Sequence, residues 1–158
     1  MMRSMRKLGL GAALLALGLT SLAATRVPSS MHTSSEGPVI TVYKDPNCGC
    51  CNNWVEHLIK HGFRVTAKNS SEMTEVKRGL GIPRELESCH TGLVSGYVIE
   101  GHVPAPDIKR LLKEKPRVAG LAVPGMPVGS PGMEGPRTDR YDVLSFDKTG
   151  KTRVFAKH

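Results

Sequence analysis

The stretch that decides the fold reads Val39-Ile40-Thr41-Val42-Tyr43-Lys44-Asp45-Pro46-Asn47-Cys48-Gly49-Cys50-Cys51, continuing Asn52-Asn53-Trp54-Val55-Glu56-His57-Leu58-Ile59-Lys60-His61-Gly62. Val39 to Tyr43 is β-branched and aromatic, and Asp45-Pro46-Asn47 closes it, which predicts a buried strand entering a turn. Trp54, Val55, Leu58 and Ile59 then recur at helical spacing, with His61 in the last turn and Gly62 as the stop. Phe63 to Ala67 reads as a second strand. A strand, helix and strand of these lengths form a βαβ unit, so the first two strands are expected to be parallel.

Reading outward, Ser71 to Gly79 starts with a Ser cap and acidic residues and ends in Gly, as a short helix does. Gly81 to Gly92 is expected to be a loop carrying Cys89-His90-Thr91. Leu93 to Glu100 reads as a strand, Gly101 as a turn and His102-Val103 as the start of a short partner strand. Pro104-Ala105-Pro106-Asp107 launches a helix through Ile108, Leu111 and Leu112 that stops before Pro116. The order β-α-β-α-β-β-α is that of a thioredoxin-like α/β domain. Beyond it, Ala119 to Arg140 has no secondary-structure period. Its Pro124-Gly125-Met126-Pro127 and Pro131-Gly132-Met133-Glu134 are a near repeat, each presenting a Met on a Pro-Gly turn. Tyr141 to Phe146 and Lys151 to Ala156, joined by Asp147-Lys148-Thr149-Gly150, predict a terminal β-hairpin.

Upstream of the fold, Arg3, Arg6 and Lys7 precede the apolar run Leu8 to Leu22, and Ser21-Leu22-Ala23-Ala24 offers a small-residue cleavage site. Residues 1–24 therefore read as a secretory signal peptide; a run of about 15 apolar residues is short for a span needing roughly 20. Residues 25–37 read as a polar, Ser-rich flexible leader, leaving 38–158 as one domain. Removing the three basic residues lowers the formal net charge from +8 to +5. With few aromatics and no basic run interleaved with them, nucleic-acid binding has no support. No stable membrane association is expected after cleavage.

Export gives the four cysteines a context. In an oxidising compartment they would first be read as two disulfides, but Cys48, Cys50 and Cys51 crowd together while Cys89 stands far along the chain. A bond between adjacent Cys50 and Cys51 would close a strained ring. Cys48 and Cys51 form a Cys-x-x-Cys pair where a strand hands over to a helix, and unpaired N–H groups there stabilise thiolate. Two chemistries follow: thiol–disulfide exchange with Cys48 and Cys51 as catalytic residues, or soft-metal binding through all the sulfurs.

Three features favour metal. Cys50 invites wrong disulfides in an exchange enzyme but adds a ligand to a metal site. In a thioredoxin fold, the loop before the third core strand faces the Cys-x-x-Cys and carries a shielding cis-proline; here it reads Cys89-His90-Thr91-Gly92, so Cys89 becomes available as a fourth ligand and His90 as a further candidate. Met126 and Met133 supply thioethers, which suit Cu(I). His57 and His61 have chelating i, i+4 spacing, yet His61 equally fits the negative end of its helix, and the pair is not read as a ligand set. His102 and His158 read as surface residues, His32 lies in the leader, and Trp54 reads as core.

The Val-Tyr-Lys-Asp-Pro-Asn-Cys-Gly-Cys-Cys segment, Ser-Cys-His-Thr, Gly-His-Val-Pro-Ala, Gly-Leu-Ala-Val-Pro-Gly-Met-Pro and Gly-Ser-Pro-Gly-Met-Glu together closely resemble a family of bacterial periplasmic metal-binding proteins associated with copper resistance, the CopG type. The resemblance spans about Val39 to Lys157. It implies a thioredoxin-like fold, a periplasmic location, copper as the metal, and a centre made by Cys48, Cys50, Cys51 and Cys89. Copper ions are then the expected partners, with other periplasmic copper proteins as candidates. Four thiolates carry more charge than one Cu(I) offsets, so the expected centre is polynuclear, with copper-linked redox activity as a further expectation.

Overall fold

The computed structural model describes residues 37–158, so the expected signal peptide and nearly all of the leader lie outside the described residues. Strand β1 (Val39–Lys44) buries Ile40 and Val42 completely. It leads into helix α1 (Gly49–Lys60), whose N-cap is Cys48. The helix stops as its sequence dictates. Gly62 takes φ +82°, its N–H reaches Ile59 O, and Phe63 N–H reaches Leu58 O, so the last carbonyls are satisfied and buried Phe63 packs in the same core cluster as Leu58.

Strand β2 (Arg64–Asn69) pairs in parallel with β1, as the βαβ reading requires. Helix α2 (Met73–Gly79) starts later than the sequence suggests: Glu72 is its N-cap, and Ser70, not Ser71, turns its hydroxyl to the Glu72 N–H. A short 3-10 turn (Arg84–Leu86) precedes strand β3 (His90–Val94), so His90 and Thr91 belong to a strand and not to the expected loop.

The largest departure lies next. The expected single strand from Leu93 to Glu100 is a hairpin of β3 and β4 (Tyr97–Glu100), turning at Ser95 and Gly96 with φ of 48° and 83°. Two successive positive φ values give the tight turn whose twist matches the flanking strands. His102 and Val103 consequently form no strand. Gly101, at φ +70°, bends the chain inward, where a side chain would strike Val123 O and the Ser88 Cβ. Helix α3 (Ala105–Glu114) follows and ends at Lys115 in the left-handed region.

Strand β5 (Gly120–Ala122) was not legible: three residues carry no periodicity. It adds in parallel to β4, and a Cβ at Gly120 would lie 1.9 Å from Val98 O, so only glycine fits. Strands β6 (Asp142–Phe146) and β7 (Thr152–Lys157) form the expected hairpin. The sheet runs β2-β1-β3-β4-β5-β6-β7. This is an α/β fold whose first four strands and three helices keep the expected order and are compatible with a thioredoxin-like core.

One apolar cluster joins Ile40, Val42, Trp54, Leu58, Ile108 and Leu111, while a smaller one joins Ile82, Leu86, Val98, Ala122 and Phe146. Val98 and Ile99 fall in different clusters because successive side chains of β4 point to opposite faces. On the same face of β4 as Val98 lies a buried ion pair, Lys77 of α2 with Glu100 at the end of the strand. The Glu100 carboxylate also accepts from Ser88 N–H at 2.6 Å and from the Thr91 hydroxyl at 2.6 Å, and Lys77 donates to Thr91 Oγ1 at 3.0 Å.

Burial raises the Glu100 pKa despite the opposing pull of Lys77. A carboxyl raised above its unfolded value contributes stability that is full below about pH 4 and is lost as pH rises. Lys77→Met removes the compensating cation. Urea unfolding is expected to show a loss of about 3–5 kcal/mol at pH 8 and a smaller loss at pH 4; equal losses at both would contradict this account.

Candidate metal centre

Lys44 at the end of β1 pairs with His90 at the start of β3. The chain leaving β1 and the chain entering β3 therefore meet at one end of the sheet, and they carry the cysteines. Cys48 caps α1, its sulfur 3.3 Å from the Cys51 N–H, while Cys50 and Cys51 occupy the first turn. The positive end of the helix favours sulfur anions here.

Cys48 and Cys51 are joined as a disulfide, with Cα atoms 5.4 Å apart. Cys50 and Cys89 are free thiols. Cys50 Sγ lies 3.4 Å from Cys48 Sγ and 3.6 Å from Cys89 Sγ. All four sulfurs lie within 4.8 Å of one another. Burial, reinforced by the neighbouring Cys50 sulfur, pushes the Cys89 thiol up to about 11.

The structure adds a residue the sequence reading assigned to the surface. His102 is fully buried, and its Nε2 stands 3.2 Å from Cys89 Sγ. Its Nδ1 lies 2.8 Å from the Pro131 carbonyl, so Nδ1 carries the proton and Nε2 presents its lone pair to the sulfur. Burial also lowers the His102 pKa, which keeps the ring neutral. The correct position of the hairpin turn would have revealed it: Thr91 faces Glu100, and extending that antiparallel register by two residues sets Cys89 opposite His102.

His90 also sits at the centre. Its Nδ1 lies 3.6 Å from Cys89 Sγ, and its ring packs on Trp54 at 4.3 Å and edge-on to His102 at 4.8 Å. Its Nε2 is buried with no hydrogen-bond partner among the described residues, and burial holds its pKa well below the usual value. Cys89, His90 and His102 thus form a second clustered donor set that shares one sulfur with the first. Trp54 is core as expected, its indole N–H donating to Val103 O at 2.9 Å.

The Gly/Pro/Met segment closes over this end. A side chain at Gly132, at φ +86°, would strike Cys50 O and Trp54 N, so this turn lies against the first turns of α1. The Ser88 hydroxyl donates to Gly125 O, tying down the turn before Met126. Met133 is partly buried beside Gly132, whereas Met126 is half exposed. His57 does not join the centre; its Nε2 accepts the Ala105 N–H at 3.1 Å and so caps α3, and His61 Nδ1 sits 2.8 Å from His57 O. His158 is surface-exposed but bridges to Asp107 at 2.7 Å.

The donor chemistry is soft sulfur with imidazole at its edge, set where a helix N-terminus meets a cross-chain loop. A fold and site of this kind define an α/β protein with a sulfur-rich donor cluster able to hold a soft metal. The family described as "Protein of unknown function, DUF411" matches residues 86–133. Two solved structures, titled "Copper resistance protein copG- Form 2" and "Copper resistance protein copG- Form 1", are each 48% identical to this chain with a TM-score of 0.74. Both cover 78% of it, and it covers 99% and 98% of them. No curated protein matches the chain. The chain belongs to the CopG copper-resistance family.

Burial and the neighbouring His61 lower the His57 pKa to about 4. The unfolded chain then takes up this proton first, so stability present above pH ~6.5 falls as pH drops toward 4. NMR titration should place the His57 midpoint near 4, and His57→Gln should remove part of the acid loss; a midpoint near 6.5 would contradict the capping role.

Proposed function

We propose that residues 1–24 direct the protein to the periplasm and are cleaved off, and that the mature protein handles copper there, holding Cu(I) through Cys48, Cys50, Cys51 and Cys89. The observation that carries this reading is the gathering of four sulfurs within 4.8 Å from two distant stretches of chain. Thiolates are soft donors that select Cu(I), and the solved relatives are titled copper resistance proteins. The lone pair of His102 Nε2 points at the Cys89 sulfur, His90 lies behind it, and the turns bearing Met126 and Met133 close over the same end.

Four thiolates around one monovalent ion would leave a large uncompensated negative charge in a partly buried pocket, which is costly. Several Cu(I) ions sharing bridging sulfurs offset it, so the centre is polynuclear in this reading. Loading the full set requires the Cys48–Cys51 bond to open, which consumes two electrons; copper handling and thiol redox chemistry are therefore coupled. Copper ions are the cargo, and other periplasmic copper proteins are the fitting exchange partners.

The Cys48–Cys51 disulfide also supports a second reading, a periplasmic thiol–disulfide oxidoreductase acting on proteins. Cu(I) titration of the reduced protein against a competing chelator separates the two. Copper handling predicts an endpoint above one ion per chain, a strong loss of affinity in Cys89→Ser and a loss of about 10–100-fold in His102→Gln. A strict one-to-one endpoint would sink the polynuclear centre. Exchange activity instead predicts that Cys48→Ser and Cys51→Ser abolish insulin reduction while Cys89→Ser leaves it intact.

A further inference from the structure

Cys50 is in an unusual position for a bystander. Its sulfur touches a disulfide sulfur on one side, Cys48 at 3.4 Å, and a free thiol on the other, Cys89 at 3.6 Å. Neither spacing leaves room for another group between the sulfurs. The Cys89 sulfur has a proton acceptor in reach, because Pro131 O holds the His102 proton on Nδ1 and leaves Nε2 open at 3.2 Å.

We propose that the four sulfurs form a disulfide relay with two resting positions, Cys48–Cys51 on the helix and Cys50–Cys89 across the chain, connected through Cys50. Thiol–disulfide exchange proceeds by thiolate attack on a disulfide sulfur through a mixed disulfide. In the first exchange the Cys50 thiol releases its proton to solvent and its sulfur bonds to Cys48. The Cys48–Cys51 bond breaks, its electron pair leaves on Cys51, and Cys51 takes a proton. In the second exchange the Cys89 proton passes to His102 Nε2 and the Cys89 sulfur bonds to Cys50. The Cys48–Cys50 bond breaks and its electron pair leaves on Cys48, which ends as the protonated thiol when His102 returns its proton through solvent. The leaving sulfur is the helix cap, which already accepts the Cys51 N–H.

The balance closes without a co-reactant. One disulfide and two thiols are present at the start and at the end, and no electron enters or leaves. Migration moves the bond from a local three-residue loop to a cross-link between α1 and the residue before β3, and it frees Cys48 and Cys51 as a thiol pair at the helix N-terminus. The relay uses the sulfurs of the copper reading but needs no copper.

The test therefore uses metal-free protein under chelator, so that a failed copper titration has no bearing on it. Reduced protein receives one equivalent of diamide, is quenched in acid at intervals, alkylated and mapped by peptide mass. The expected result is both linkages within single chains, with loss of alkylation at Cys50 and Cys89 matched by its gain at Cys48 and Cys51. In Cys50→Ser, Cys89 should stay fully open to alkylation, whereas Cys48→Ser/Cys51→Ser should close Cys50–Cys89. Wild-type protein that carries Cys48–Cys51 alone at every interval, or joins Cys50 to Cys89 only between molecules, overturns the relay. That mapping decides the matter even where a variant fails to fold.

Discussion

The Glu100 carboxylate organises the cysteine-bearing end of the molecule. It is wholly buried, and it grips both flanks of the Cys89-His90 dipeptide: the Ser88 N–H on one side and the Thr91 hydroxyl on the other. Lys77 supplies the countercharge from helix α2. A buried charge is tolerated only where it is paired and hydrogen-bonded, so the three groups must meet together or not at all. The result is that Cys89 enters the site from a fixed direction. Ser88, held by the same carboxylate, also donates to Gly125 and so couples that fixed point to the closing Pro/Gly/Met segment.

On the opposite side the helix does comparable work with partial charges. Cys48 as N-cap and Cys51 in the first turn sit where unpaired N–H groups face outward, an environment that favours sulfur anions. Cys89 is pushed the other way, because its burial and the adjoining Cys50 sulfur outweigh the Ser88 hydroxyl that donates to it. The cluster thus places a disulfide and two free thiols in contact, with two neutral imidazoles beside Cys89. Membership of the CopG copper-resistance family agrees with a soft donor set. Among the described residues no helix is long and apolar enough to cross a membrane.

Much of this was legible along the chain. The β1–α1–β2 unit, the Gly62 stop, the α3 start at Pro104 and the terminal hairpin each rest on local chemistry: β-branching, helical spacing, a positive φ, a fixed proline φ. The misreadings have two causes. Ser95-Gly96 was absorbed into a strand because Ser is a weak marker of the left-handed turn, and that slip displaced His102 from the site to the surface. Strand β5 was invisible because its identity comes from a vacant place beside β4, where Gly120 alone avoids Val98 O.

The linear sequence determined that a Cys-x-Cys-Cys set would open a helix directly after a buried strand, since those features depend on neighbours in the chain. It also marked Cys89, His90 and the two Met-bearing turns as candidates by residue type. Only tertiary structure decided which of them meet. Strand register set Cys89 against Cys50 and opposite His102, burial made His102 and His90 neutral, and the α3 N-terminus claimed His57 as its cap. Those outcomes depend on distances between residues far apart in sequence, which hydrogen-bonded register and packing set and local pattern does not encode.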